Sequence, residues 1–113
     1  MTFKHIVAIL RPNVLQAVED SLVHLGVPGI TVTRTKGFGE YTDFAAGARS
    51  TFSSVCVEIF VEEEQVQPIV ETIMNAAHTG TPGEGLVAVL PVDKLYWVRT
   101  RHEFGTMGPV LSA

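Results

Sequence analysis

The chain has 113 residues, of which 46% are apolar, with a formal net charge of −4 and one cysteine. This is one domain with enough apolar mass for a core, which excludes a disordered chain, and its charge excludes a basic field for nucleic-acid backbone. No apolar run approaches the ~20 residues of a membrane span, and the single Cys56, which permits no internal disulfide, fits a cytoplasmic setting.

Met1 to His5 runs straight into a strand pattern with no signal-peptide character. Phe3 to Leu10 is apolar and partly β-branched, which predicts a central strand. Arg11-Pro12 stops it, and Pro12 suits the first turn of a helix, where its missing N–H costs nothing. Val14, Leu15, Val18, Leu22 and Leu25 then form one helical stripe that Gly26 ends. His24 and, later, His78 stand near helix C-termini, where a histidine compensates the dipole. Val27-Pro28-Gly29 turns the chain into Ile30–Lys36, whose alternation is that of a strand with one wet face, closed by Gly37-Phe38-Gly39.

From Glu40 to Phe52 the periodicity fails, which predicts a flexible loop of about a dozen residues, a length often tied to function. Ser54 to Val61 alternates again, with Val55, Val57, Ile59 and Val61 on one face and Cys56, Glu58 and Phe60 on the other. Glu62-Glu63-Glu64 opens a helix, where negative charge is favoured, and Val66, Ile69, Val70, Ile73 and Ala77 make its apolar stripe. Thr79-Gly80-Thr81-Pro82-Gly83-Glu84-Gly85 follows, backed by the apolar strand Leu86 to Leu90. Glycines let successive backbone N–H groups line an anion-binding concavity; they equally serve a plain connection that only turns the chain. Leu95 to Thr100 reads as a last short strand, and Arg101 to Ala113 as a mobile tail after a domain spanning 1–100.

The order β-α-β-loop-β-α-β predicts an α+β, ferredoxin-like fold, with helices on one face of an antiparallel sheet and a short extra C-terminal strand. The uncovered sheet face carries Cys56, Glu58, Phe60 and threonines and invites self-association. Two other functions fit such a fold. A divalent-metal-binding trimer of the cation-tolerance type would need ligands, yet Cys56 and the four histidines show no metal spacing. An acylphosphatase-like enzyme would draw on Arg11 and Asn13 or Asn75, but no nucleophile–base pair stands out, so no catalytic residue is assigned.

Taken in order, several segments resemble the P-II nitrogen-regulatory signalling proteins and their P-II-like relatives. They are Leu10-Arg11-Pro12, Thr31-Val32-Thr33, Lys36-Gly37-Phe38-Gly39, Val57-Glu58-Ile59, Gly83-Glu84-Gly85, Val89-Leu90-Pro91-Val92 and Val98-Arg99-Thr100. The resemblance implies a homotrimer that binds adenine nucleotides between subunits and regulates a partner, either a membrane transporter or an enzyme. It places Gly37, Phe38, Gly39, Gly83, Glu84 and Gly85 around the phosphates. Thr31, Glu58 and Phe60 of the neighbour would meet the adenosine, and the neighbour's Arg99 would neutralise phosphate charge. The partner-reading loop would be 40–52, with Glu40, Tyr41 and Arg49. Some relatives answer to bicarbonate, which Arg49 and Arg99 could help hold.

The departures from the family's pattern are specific. Glu40-Tyr41 replaces the usual Arg-Gln, Leu86 the usual lysine, and Trp97 one of two arginines. Each lost phosphate partner removes about 1.5–3 kcal/mol of charge-assisted bonding. The expected ligand is therefore ADP or AMP over ATP, unless Lys36, Arg49 or Arg101 substitutes for the missing cations. Sensing of 2-oxoglutarate is not expected, and no metal or other cofactor is assigned.

Overall fold

The computed structural model describes residues 2–37, 52–81 and 84–104. Strand β1 is Phe3–Leu10, helix α1 Leu15–Leu25, β2 Thr31–Gly37, β3 Phe52–Glu62, α2 Val66–Ala77 and β4 Gly85–Val92. The four strands form one antiparallel sheet in the order β2-β3-β1-β4. This is the ferredoxin-like α+β fold.

Local chemistry sets the helix ends. Pro12 opens the short 3-10 turn Pro12–Val14 that leads into α1. Gly26 ends α1 in the left-handed conformation, φ 102°, and its N–H bonds back to Leu22 and Val23. A second 3-10 turn, Glu63–Gln65, precedes α2, and there Glu62 and Gln65 cap one another reciprocally. One tier of the sheet faces the helices: Ile6, Ala8, Leu10, Val55, Val57, Ile59 and Val61 pack against Val18, Leu22, Ile69, Ile73 and Ala77. These twelve side chains alternate along the strands and recur at helical spacing because only one face of each element is covered. The opposite sheet face holds the rows Phe60–His5–Leu90, Glu58–Val7–Ala88 and Cys56–Ile9–Leu86, set by the strand register. Phe60, Leu86 and Leu90 remain exposed there. Burial, and then the charge of Glu58, push the Cys56 thiol up, which disfavours its thiolate.

The expected short strand Leu95–Thr100 is a correction. Only Tyr96 makes a bridge, to Glu103, and the chain reverses through 98–100. Trp97 N–H donates to His102 O and Phe104 N–H to Leu95 O, while Arg101 takes a left-handed φ of 63°. Aromatic packing drives the reversal. Trp97 stacks on Phe104 at 4.1 Å, and Phe104 meets Phe3 edge-on at 6.1 Å. Residues 101–104 thereby also depart from the expectation of a mobile tail, since Phe104 is buried. The rest of that tail, and loop 40–52 apart from Phe52, which opens β3, lie outside the described residues.

Candidate functional site

At the end of α2 the glycine-rich loop is held by one carboxylate. Glu84 Oε2 accepts the N–H of Thr79 at 2.6 Å, the N–H of Gly80 at 2.9 Å and the hydroxyl of Thr79 at 2.9 Å. Its Oε1 lies 2.8 Å from His78 Nδ1. The backbone bond from Thr79, followed by His78, holds the Glu84 carboxyl down at about 2, against the opposing effect of desolvation. The resemblance puts Glu84 among the phosphate-cradling residues. Its side chain is turned onto its own loop, so only its backbone is left for a cradle.

Gly85 has a structural duty of its own. It pairs with Leu10 across β1–β4 at φ 122°, and a Cβ there would sit 2.1 Å from Ile9 O. Gly80, also at positive φ, has open space around it. Beside the loop, Arg11 Nη1 donates to Thr81 Oγ1 at 3.0 Å, and Thr81 is 2.9 Å from Thr79 Oγ1. Arg11, Thr81, Thr79, Glu84 and His78 are thus one connected polar chain. Reading the sequence for a phosphate site missed Arg11. The signal was the topology: in a βαββαβ fold β1 lies beside β4, so the residue after β1 meets the loop before β4.

A second set of residues gathers away from this end. Thr31 and Glu58 stand directly opposite one another across β2–β3, so the register brings together two residues assigned to the adenosine. Glu58 is also 3.0 Å from His5 Nε2, close but without the alignment of a hydrogen bond. Phe60, two residues on, stacks on His5 with centroids 4.4 Å apart and rings 8° from parallel. Because β2 starts at Thr31, β3 runs on past it, and the turn at 26–29 flanks Ile59–Val61 instead of a strand. A cavity of about 220 Å³ lies there, between that turn, Ile59–Val61 and the start of α2 at Gln65 and Pro68.

By register Thr31 and Glu58 are level with Ala88 and Phe60 with Leu90, three and five residues along β4 from Gly85, and they stand two or three strand spacings from β4, so the two sets lie apart in one protomer. Gly85 and Val92 are the two ends of β4, seven residues apart, or roughly 24 Å at the rise of an antiparallel strand. Arg99 and Arg101 follow Val92, on the side away from the glycine loop. Lys36 and Gly37 share the glycine-loop end of the sheet, but β2 is three strand spacings from β4, roughly 14 Å. Phe38, Gly39, Glu40, Tyr41, Arg49 and Gly83 lie outside the described residues. Among the described residues, no three His, Cys, Asp or Glu side chains converge as metal ligands. Nor is any described helix long and apolar enough to cross a membrane.

The profile of the family described as "Nitrogen regulatory protein P-II" matches residues 3–102. The chain belongs to the P-II family. It is 37% identical to a nitrogen regulatory protein P-II of Azospirillum brasilense over 108 residues, covering 90% of this chain and 96% of that one. A P-II protein of Pasteurella multocida is 38% identical over 106 residues, 88% of this chain and 95% of the other. Among solved structures, Arabidopsis thaliana PII bound to citrate superposes with a TM-score of 0.80 at 33% identity, covering 95% of this chain and 92% of that one. P-II proteins are regulatory signalling proteins, and this P-II chain shares their fold along nearly its whole length.

Proposed function

We propose that this P-II protein is a cytoplasmic, nucleotide-responsive regulator, not an enzyme, and works as a homotrimer. The observation that carries this reading is the division of the site. A glycine-loop half lies at one end of the sheet, and a half built from Thr31, Glu58 and Phe60 lies across it on β2 and β3, with Arg99 beyond β4. Each protomer presents two incomplete halves, and a neighbouring copy supplies the complement. The exposed apolar residues Phe60, Leu86 and Leu90 give the sheet face a reason to associate.

The ligand in this reading is an adenine nucleotide, ADP or AMP in preference to ATP. Leu86 and Trp97 stand where the family carries cations, and Trp97 is committed to its stack on Phe104. Glu84 adds negative charge beside the loop. A triphosphate therefore meets fewer partners and more repulsion than a shorter tail. Citrate on the Arabidopsis relative supports an anionic ligand on this fold. Bound nucleotide would bias the ordering of loop 40–52 and so its docking to a transporter or enzyme, with bicarbonate as a small co-effector.

Isothermal titration with AMP, ADP, ATP and bicarbonate tests the reading. Tighter binding of ADP or AMP than of ATP is expected, with one site per protomer. No heat from any nucleotide would reject it.

A further inference from the structure

We propose that Arg11 is a phosphate-binding residue of the glycine-loop half-site, aimed by Thr81. The inference rests on the nucleotide reading above and adds a residue to it.

A phosphate arriving at this loop meets an anion already in place. Glu84 occupies the N–H groups of Thr79 and Gly80, so two of the loop's amides are spent on an internal carboxylate. Amides alone then make a weak receptor for a dianion, and a cation close to the loop is required. The family's lysine after the loop is not available, since that position is Leu86. The described cations are placed unequally. Arg34 and Lys36 are on β2, roughly 14 Å from β4 by strand spacing, and Arg99 lies beyond the far end of β4. Arg11 follows Leu10, the partner of Gly85, and so stands one strand spacing, about 4.8 Å, from the start of β4. Arg11 also donates to the loop itself, at 3.0 Å to Thr81 Oγ1.

That bond has the character of positioning. Thr81 in turn touches Thr79, whose hydroxyl donates to Glu84. The guanidinium is thus referenced to the same carboxylate that shapes the loop, and its fixed charge and N–H donors suit a terminal phosphate. Arg11 supplies the charge that Glu84 removes.

The test uses the full chain, with Arg11→Gln, Arg11→Lys and Thr81→Val, titrated with ADP, adenosine and pyrophosphate. Thermal unfolding of each variant verifies that it is folded. Arg11→Gln is expected to weaken ADP and pyrophosphate at least tenfold and to leave adenosine unchanged. Arg11→Lys should recover part of the loss, and Thr81→Val, which keeps the charge and removes only the aim, should lose less than Arg11→Gln. If Thr81→Val loses as much as Arg11→Gln, Arg11 is only a loop tether and the inference is overturned. It is also overturned, with the nucleotide reading intact, if ADP binds equally to Arg11→Gln and the parent chain. If the parent binds pyrophosphate in an Arg11-dependent way but no nucleotide, the inference stands and the nucleotide reading falls. If neither ligand binds, both fall.

Discussion

Glu84 and Thr79 are joined twice, through the Thr79 N–H at 2.6 Å and the Thr79 hydroxyl at 2.9 Å, both onto the same carboxylate oxygen. The pair closes the connection between α2 and β4 without a ligand. Thr79 and Gly80, the first residues of the glycine-rich connection, are thereby anchored, and their amides are engaged before any anion arrives.

This pairing has a pH signature. The Glu84 carboxyl lies at about 2 in the folded chain, below its ordinary 4.5, so it favours the closed loop wherever the unfolded group is already ionised. The contribution is complete above about pH 4.5 and is lost as pH falls towards 2. Amide protection factors at Thr79 and Gly80, which are rates corrected for intrinsic exchange, should be constant from neutral pH to about 5 and then fall on further acidification. Glu84→Gln should abolish the acid-dependent part. A carboxyl midpoint near 4.5 in an NMR titration would contradict the clamp.

Gly85 and Gly80 separate two reasons for a glycine. Both have positive φ, but only Gly85 lies against backbone, with a Cβ position 2.1 Å from Ile9 O. Gly80→Ala should cost about 1–2 kcal/mol from conformation alone, whereas Gly85→Ala must also push β1 and β4 apart, for roughly 3 kcal/mol or more. In thermal unfolding the second should lower Tm by roughly 12 °C and the first by roughly 4–8 °C. Equal losses would mean that the close approach to Ile9 carries no weight.

Much of this fold is legible in the residues, and the failures have physical causes. Val55, Val57, Ile59 and Val61 alternate because β3 is covered on one face only, and all four are buried as that pattern requires. The stripes of α1 and α2 are visible for the same reason. Leu95 to Thr100 looks like a strand because it opens on large, mostly apolar side chains, but local pattern cannot see that Trp97 will find Phe104 and turn the chain back. At the site, the pairing of Thr31 with Glu58 is a consequence of register, which follows once the topology is set. The Arg11–Thr81 bond joins residues 70 apart in sequence, a contact that only the finished sheet creates. Glu84 reads as a loop carboxylate until its side chain is seen folded back on the amides.

The aromatic cluster gives a stability prediction. Phe104 is 6% exposed and contacts both Phe3 and Trp97. Phe104→Ala should destabilise the domain by about 3 kcal/mol, read by chemical denaturation with tryptophan fluorescence as one probe. A change below about 0.5 kcal/mol, the usual size for a surface substitution, would mean that the reversal at 98–100 is a loose appendage.

The open sheet face gives another. Leu90 lies opposite His5 on that face and is 42% exposed. Leu90→Glu puts a charge where self-association would bury an apolar group, a change that a lone protomer tolerates. Light scattering should show trimers for the parent chain and smaller species for the variant, with the far-UV spectrum of both alike. A variant that stays trimeric would remove this face from the interface.

The most direct measurement is a crystal structure of the chain grown with ADP. The expected result is a trimer in which the diphosphate touches the loop from Thr79 to Gly85 of one copy, while the adenosine lies against Thr31, Glu58 and Phe60 of the next. A nucleotide held wholly within one protomer, or bound away from both sets of residues, would contradict the division of the site between copies.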